Sequence, residues 1–240
     1  MKKAYKYWDR AWSLVEGCTP CSPGCAHCWS AAIASRFQKA SNFKTTEAGL
    51  YNDHVRFRLD RLILPDLAYR PSVWAIWTDL FHDEVHLDYI TLAFRYMLEN
   101  PRHIFLVLTK RANRAFDFLQ SYAHKGIVPN AWIGVTVCNQ AEADEKIPLL
   151  LQTPAAYRFL SVEPMLGPID ICSALWTINY KTGQFKPIDL VICGPENGPG
   201  KRPFDLAWAA KIEADCQAAN VPFFFKGEGL SHDLPWEVRR

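Results

Sequence analysis

Four cysteines lie close together near the N-terminus, in a loop rich in turn-forming residues. They are Cys18, Cys21, Cys25 and Cys28, within the stretch CTPCSPGCAHC, and they make up half of the chain's eight cysteines. Thiolates spaced this closely allow one loop to wrap a metal, and the prolines and glycine between them favour tight turns. The stretch therefore predicts a metal or cluster site with these four cysteines as its candidate ligands.

The loop contains two overlapping spacings that point to different chemistry. Cys18-x2-Cys21 with Cys25-x2-Cys28 gives a four-thiolate set typical of structural zinc, but only three residues separate the two pairs. Zinc ribbons usually place a longer segment between theirs. Cys21-x3-Cys25-x2-Cys28 instead resembles the CxxxCxxC pattern of radical S-adenosylmethionine (SAM) enzymes, whose three thiolates bind a 4Fe-4S cluster. The spacing favours the cluster over zinc, which stays the alternative.

The elements that would position this loop follow a repeated strand–helix rhythm. A short apolar run at 11–15 precedes the loop and a helix pattern at 29–39 follows it, whereas 40–70 is too irregular to assign. The remaining pattern predicts strands at 72–77, 103–108, 131–137, 157–162, 189–193 and 221–225, and helices at 88–100, 112–124, 141–151 and 204–220. This alternation is typical of a parallel sheet covered by helices. About seven strands in one domain, 1–240, favour an α/β fold, a complete or partial (β/α) TIM-like barrel, over an open doubly wound sheet.

Polar residues follow almost every predicted strand. In (β/α) barrels the site is built at the carboxyl ends of the strands, so these residues are the candidates for chemistry. Taken singly, a Thr-Asp pair is commonly a helix cap and a Lys-Arg pair a solvated surface. Their recurrence is what points to a site. The residues are Thr78 and Asp79, Thr109 to Arg111, Asn139, Gln140 and Asp144, Ser161 and Glu163, Glu196 with Arg202, and Lys226 with Glu228.

Several of these segments together resemble a known family. They are GCT at 17–19, SPGC at 22–25, TDLFH at 78–82, LTKR at 108–111, WIGVTV at 132–137, FLSVEP at 159–164 and VPFFFK at 221–226. Over nearly the whole chain they resemble the phage-associated three-cysteine-motif family, mostly of unassigned activity, which is similar to radical SAM enzymes and distantly to spore photoproduct lyase. The family spacing Cys-x6-Cys-x2-Cys falls on Cys18, Cys25 and Cys28. Cys21 is an addition, so either Cys18 or Cys21 is the third ligand.

The resemblance implies a barrel of the radical SAM type with two cofactors, a 4Fe-4S cluster and SAM. One-electron cleavage of SAM would yield a 5'-deoxyadenosyl radical that abstracts a hydrogen atom from a substrate. Position in the pattern then assigns the remaining roles. Cofactor binding falls to His27, Trp29, Thr78, Asp79, Thr109, Ser161 and Glu196, and contacts at the reacting centre to Lys110, Glu163 and Arg202.

Composition adds weaker expectations. The net charge of +2 forces no nucleic-acid or membrane partner, and no apolar run is long enough to span a bilayer, so we expect a cytoplasmic protein. The scattered cysteines 138, 172, 193 and 216 are expected in the core. The basic residues 110, 111, 114, 201 and 202 suggest a nucleotide or nucleic-acid substrate. The alternative function is a non-catalytic zinc or iron–sulfur protein that acts with a partner protein.

Overall fold

Seven strands form one parallel sheet in the computed structural model, which describes residues 5–36, 55–76, 78–176, 188–197 and 200–236. The strands of this sheet are β1 (Arg10–Ala11), β4 (Val73–Ala75), β5 (Ile104–Thr109), β6 (Ala131–Thr136), β7 (Tyr157–Val162), β8 (Leu190–Cys193) and β9 (Phe223–Phe225). Two further strands, β2 (Val15–Glu16) and β3 (Arg56–Phe57), pair with each other in antiparallel fashion outside it.

The strand order is the chain order, β1-β4-β5-β6-β7-β8-β9, and every neighbouring pair is parallel. A doubly wound sheet reverses direction at a switch point, and this sheet has no such reversal. The sheet curls into a half-barrel, and within the described residues its two edge strands, β1 and β9, do not pair with each other. The predicted partial barrel is confirmed, and the open doubly wound alternative is wrong.

The structure describes six α-helices, of which all but the first pack on the outer face of the sheet. They are α1 (Trp29–Arg36), α2 (Leu87–Glu99), α3 (Ala112–Tyr122), α4 (Gln140–Gln152), α5 (Cys172–Leu175) and α6 (Leu206–Ala218). Three of them start with a side-chain cap that satisfies a free backbone N–H. His86 caps α2, Asn139 caps α4 and Asp205 caps α6. Among these helices, none has the length and apolar character needed to cross a membrane.

Alternation along each strand divides the core into two layers. Outward residues such as Phe105 and Val107 pack with the helices, while inward residues such as Leu106 and Phe159 form a smaller cluster inside the curl. Gly134 on β6 makes room for this inner layer, because a Cβ there would lie 2.4 Å from the Phe159 ring. The helices thus pack on the convex face of the curved sheet, and the inner cluster fills the bottom of its concave face.

The two ends of the described chain meet at the open side of the half-barrel. The indole Nε1 of Trp236 donates to the carbonyl of Tyr7 at 2.9 Å, and its ring packs edge-on against Trp132. Nearby, His232 forms a single antiparallel bridge with Phe224 on the free edge of β9. Tyr7 itself belongs to the inner cluster. The segments around residues 7 and 232–236 therefore cover part of the interior that a closed barrel would enclose.

Several predicted elements differ from the structure. The single strand expected at 11–15 is two short strands, because Trp12 to Leu14 turn the chain out of the main sheet toward Arg56–Phe57. Cys172 is exposed rather than buried, since it begins the short helix α5 on the surface. The predicted residues 37–39 and Trp77 lie outside the described part of the chain, as do residues 40–54 of the unassigned stretch 40–70.

Candidate functional site

A cavity of about 540 Å³ opens at the carboxyl ends of the strands. Each strand from β4 to β9 contributes residues at or just after its carboxyl end, which is where barrels build their sites. The lining residues at the strand ends are Ile76, Thr109, Lys110, Thr136, Ser161, Glu163, Pro195, Glu196 and Lys226. The inner-cluster residues Ala75, Leu106 and Phe159 form its apolar floor.

Backbone hydrogen bonds shape the cysteine loop into one short helical turn that leads into α1. Ser22 caps the turn Pro23–Cys25, with its Oγ accepting from the N–H of Gly24 at 3.1 Å. The N–H of Cys28 donates to the carbonyl of Cys25 at 3.3 Å. These hydrogen bonds support the conformation of the loop.

Three of the four loop cysteines line the cavity. Cys18, Cys25 and Cys28 contribute to its wall, whereas Cys21 is exposed and does not. A hydrogen bond from Cys21 lowers the pKa of the Cys25 thiol, and Lys110 acts in the same direction. Burial raises the pKa of Cys18 to about 11. The surroundings thus favour the thiolate form of Cys25 and the neutral thiol of Cys18.

Gly24 sets the height of the loop above the strands. A Cβ at this position would lie 2.4 Å from Sγ of Cys138 and 3.0 Å from Cδ of Pro164. Cys138 follows β6 and is fully buried, with its Sγ 3.7 Å from Oγ of Ser22. Contacts this close leave no space for a side chain, so glycine is required where the loop rests on the sheet.

One buried ion pair fixes the first half of the loop. Arg111 donates from Nη1 to Oδ2 of Asp79 at 3.0 Å, and both side chains are 9% exposed. The same guanidinium donates from Nη2 to the carbonyl of Thr19 at 3.1 Å. Asp79 also accepts from Oγ1 of Thr109 at 2.6 Å and from the N–H of Lys110 at 3.2 Å. Asp79 therefore orients the Arg111 guanidinium, which donates to the backbone of the cysteine loop.

A second ion pair fixes the other half of the loop. Arg202 pairs with Glu196 and donates from Nη2 to the carbonyl of Pro23 at 3.0 Å. Burial alone would raise the pKa of the Glu196 carboxyl, but the hydrogen bond from Arg202 is the larger effect and lowers it. Two arginines from different strand ends, Arg111 and Arg202, thus hold carbonyls on either side of Cys21.

Lys110 places a cation in the cavity beneath the loop. Its ammonium has no hydrogen-bond partner among the described residues, and it lies near the thiols of Cys25, Cys138 and Cys28. Burial lowers the pKa of Lys110, but these neighbours together outweigh it and the pKa is raised. The lysine is therefore charged and free to bind an anionic group next to the thiols.

A further polar group lies toward β7 and β9. Glu163 follows β7 and forms an ion pair with Lys226, which follows β9. The Lys226 ammonium lies 5.7 Å from the ring centroid of Tyr7, whose pKa burial raises to about 12. Ser161 is 1% exposed, and its hydroxyl has no hydrogen-bond partner within the described chain. All four residues line the cavity.

Of the residues predicted to bind metal or cofactor or to act at the reacting centre, all except Cys21 and Arg202 line the cavity. Those that line it are Cys18, Cys25, His27, Cys28, Trp29, Thr78, Asp79, Thr109, Lys110, Ser161, Glu163 and Glu196. Among the other strand-end candidates, Asn139, Gln140, Asp144 and Glu228 lie outside its wall, and Asn139 instead caps α4. Several of the lining residues already bind other protein groups. Thr78 donates through Oγ1 to the carbonyl of Val15, as part of the support beneath the loop. His27 and Trp29 lie at the exposed rim.

Most of the basic cluster expected to bind phosphate is engaged within the protein. Arg111 and Arg202 hold the cysteine loop, and Arg114 donates to the carbonyls of Phe81 and Val85. Within the cluster only Lys110 lines the cavity without a hydrogen bond from its side chain. The cluster therefore supports the loop more than it presents a phosphate-binding surface.

The wall formed by residues 5–8 was missed in the sequence. Tyr5, Lys6, Tyr7 and Trp8 all line the cavity, although they precede the first strand. In a closed barrel they would lie at the opposite end from the site. In this half-barrel the interior is continuous with the cavity. The aromatic residues of the run YKYW at 5–8 were the available signal. Their place in the cavity wall could be inferred only with the knowledge that the barrel is open on one side.

The geometry of the thiols does not form a site for a single ion. Among the residues that the structure describes, no three His, Cys, Asp or Glu side chains are placed to hold one metal ion. In a 4Fe-4S cluster, by contrast, each thiolate binds its own iron, so three thiols around one cavity are the relevant observation.

Comparison with known proteins gives a family but no activity. Residues 2–236 match the model of a family described as protein of unknown function (DUF5131). A stretch of 140 residues is 24% identical to the large subunit of 3-isopropylmalate dehydratase from Thermosynechococcus vestitus. That match covers 53% of this chain and only 30% of the relative's length, so it carries no activity across. No solved structure matches the chain.

Proposed function

The chain belongs to the DUF5131 family of unknown function, and we propose that it is an iron–sulfur enzyme of the radical SAM type. In this proposal the loop holds a 4Fe-4S cluster, and the cavity takes SAM and a substrate. The observation that carries the proposal is that Cys18, Cys25 and Cys28 line one cavity of about 540 Å³ at the strand ends. When bound, the two cofactors would supply hydrogen-atom abstraction.

The exposure of the four thiols supports Cys18, Cys25 and Cys28 as the cluster ligands. Cys21 is exposed and lies outside the cavity wall, so it is the thiol that the cluster does not need. Its hydrogen bond to Cys25 instead favours the thiolate form of that ligand in the metal-free protein. Thiolates, not thiols, bind metal.

The residues around the loop have positioning and charge-balancing roles in this proposal. Asp79 accepts four hydrogen bonds and orients Arg111, so its role is to fix the loop rather than to contact SAM directly. Among the described residues, Lys110 offers an ammonium near the thiols that has no hydrogen-bond partner, so it can neutralise a cluster or bind a carboxylate. His27 and Trp29, at the rim, remain the candidates for contact with the adenine of SAM.

Anaerobic reconstitution tests the cluster directly. We expect about four irons with matching sulfide per chain and an iron–sulfur absorbance band, and deoxyadenosine formation from SAM under a strong reductant. Cys21→Ala should keep the cluster, whereas Cys18→Ala should lose it. A protein that binds one zinc per chain in place of iron, or that never cleaves SAM, would instead be the non-catalytic binding protein.

The proposed location is the cytoplasm, where a reducing environment keeps all eight cysteines as thiols. Loading with a cluster requires free thiolates, so this setting suits the loop. Labelling of the thiols in intact cells, before and after lysis, would check that the loop cysteines are reduced and metal-protected in place.

A further inference from the structure

A row of three side chains on the inner face of β7 becomes more polar toward the end of the strand, from an apolar ring through a hydroxyl to a carboxylate. Phe159, Ser161 and Glu163 occupy alternate positions and therefore point to the same side of the sheet. Phe159 belongs to the inner apolar cluster, and Glu163 lies at the strand end. Between them the Ser161 hydroxyl is buried without a hydrogen-bond partner in the described chain. A buried hydroxyl of this kind calls for a ligand group or a water.

The ion pair above this row keeps unused hydrogen-bonding capacity. Lys226 donates to Oε1 of Glu163, and neither side chain makes another hydrogen bond among the described residues. An ammonium carries three donors and a carboxylate accepts at both oxygens. The pair therefore offers at least one donor and one acceptor side by side, with no net charge. A phosphate gains little from a neutral pair, whereas a group with adjacent donor and acceptor can satisfy both partners.

Aromatic rings flank the same region. Tyr7 lies with its ring centroid 5.7 Å from the Lys226 ammonium, and the Phe159 ring forms part of the floor. Tyr7 is 8% exposed whereas Phe159 is fully buried, so Tyr7 is the ring with surface toward the cavity. Aromatic side chains beside a few convergent polar groups are typical of small-molecule sites. Burial lowers the pKa of Lys226, but Glu163 and Tyr7 outweigh it, so the ammonium stays charged beside these rings.

We propose that Tyr7, Phe159, Ser161, Glu163 and Lys226, here called the β7 subsite, bind an uncharged planar part of the substrate. This part carries a hydrogen-bond donor and an acceptor on one edge, which is the chemistry of a nucleobase. The proposal rests on the proposed function in treating the ligand as the substrate. It differs from a phosphate site built on the basic cluster, because those arginines already hold the cysteine loop.

Ligand-observed NMR on the full chain, both metal-free and reconstituted, tests the β7 subsite with nucleosides and inorganic phosphate as probes. We expect nucleosides to bind and phosphate not to displace them. Glu163→Gln keeps an acceptor for Lys226 but replaces the other carboxylate oxygen with a donor, so nucleoside affinity should fall about tenfold or more. Glu228→Gln is the matched control, since it makes the same charge change on an exposed side chain outside the cavity wall.

Ser161→Ala gives a second, independent readout. Its hydroxyl has no partner to lose within the described chain, so the variant should be as stable as the parent while nucleoside affinity falls about fivefold. The proposal is overturned if phosphate competes with nucleosides and binds Glu163→Gln more tightly, or if neither form of the parent protein binds nucleosides. Because the metal-free chain is included, a failure to assemble a cluster leaves this test standing on its own.

Discussion

Replacing Asp79 by asparagine is the sharpest test of how the cysteine loop is held. Each carboxylate oxygen of Asp79 accepts two donors: Oδ1 from Thr109 and Phe81, and Oδ2 from Lys110 and Arg111. Whichever way the new amide turns, its NH2 group faces two donors. Arg111 also loses its buried counter-charge, so we expect Asp79→Asn to lower the free energy of unfolding by about 3–5 kcal/mol.

Asp83 provides a matched control on the same guanidinium. Its carboxylate accepts from Nε of Arg111 at 3.2 Å, but its side chain is 75% exposed. Solvent-exposed ion pairs contribute roughly 0.2–1 kcal/mol, so Asp83→Asn should cost less than about 1 kcal/mol. The substitution and the arginine are the same in both variants, and only the burial and the number of hydrogen bonds differ.

Urea denaturation of the full-length, metal-free chain measures both changes. Unfolding is followed by tryptophan fluorescence and circular dichroism. The free energy of unfolding falls by about 3 kcal/mol per M of urea for a chain of this size, so Asp79→Asn should lower the midpoint urea concentration by about 1 M or more. Asp83→Asn should leave it nearly unchanged. Equal losses in the two variants would refute the reasoning, because burial of the Asp79–Arg111 pair would then have no energetic weight.

Two further substitutions test the loop contact and the buried charges behind it. Gly24→Ala puts a Cβ 2.4 Å from Sγ of Cys138 and should cost about 1–3 kcal/mol, whereas Gly167→Ala meets nothing within 4 Å and should be neutral in the same denaturation assay. Burial raises the pKa of Glu142, but hydrogen bonding led by Lys146 lowers it below the ordinary 4.5. The ionised Glu142 therefore contributes its full share to the free energy of unfolding above about pH 4.5, and this share is lost as the pH falls through the lowered pKa. Glu142→Gln should lower the free energy of unfolding by about 3 kcal/mol at pH 7 and by progressively less in acid.

The sheet was predictable because apolar β-branched runs alternated with helical patterns from residue 72 onward. That rhythm fixed six of the parallel strands to within a few residues, and the polar residues after them marked the right end of the sheet. The short strands β1 and β2 were not separable, because two-residue strands leave no periodicity and their pairing with β4 and β3 is set by tertiary contacts.

The membership of the site was easier to predict than the role of each residue. Position at a strand end brought Asp79, Glu196 and Lys110 to one cavity, as expected. Their partners were invisible in the sequence, because Arg111 and Arg202 meet the loop across separations of 92 and 179 residues. Two of the basic residues that suggested phosphate binding, Arg111 and Arg202, are therefore paired with carboxylates, and Arg114 donates to backbone carbonyls.

The arginine contacts on Thr19 and Pro23 bear on the order in which the protein is assembled. In small zinc domains the free energy of metal binding is also the free energy of folding, so a chelator unfolds them. Here hydrogen bonds from Arg111 and Arg202 to backbone carbonyls tie the loop to the strand ends independently of its thiols. If the loop holds a cluster as proposed, loading would follow folding, little chain entropy would be lost on binding, and a chelator should strip the loop while leaving the half-barrel intact.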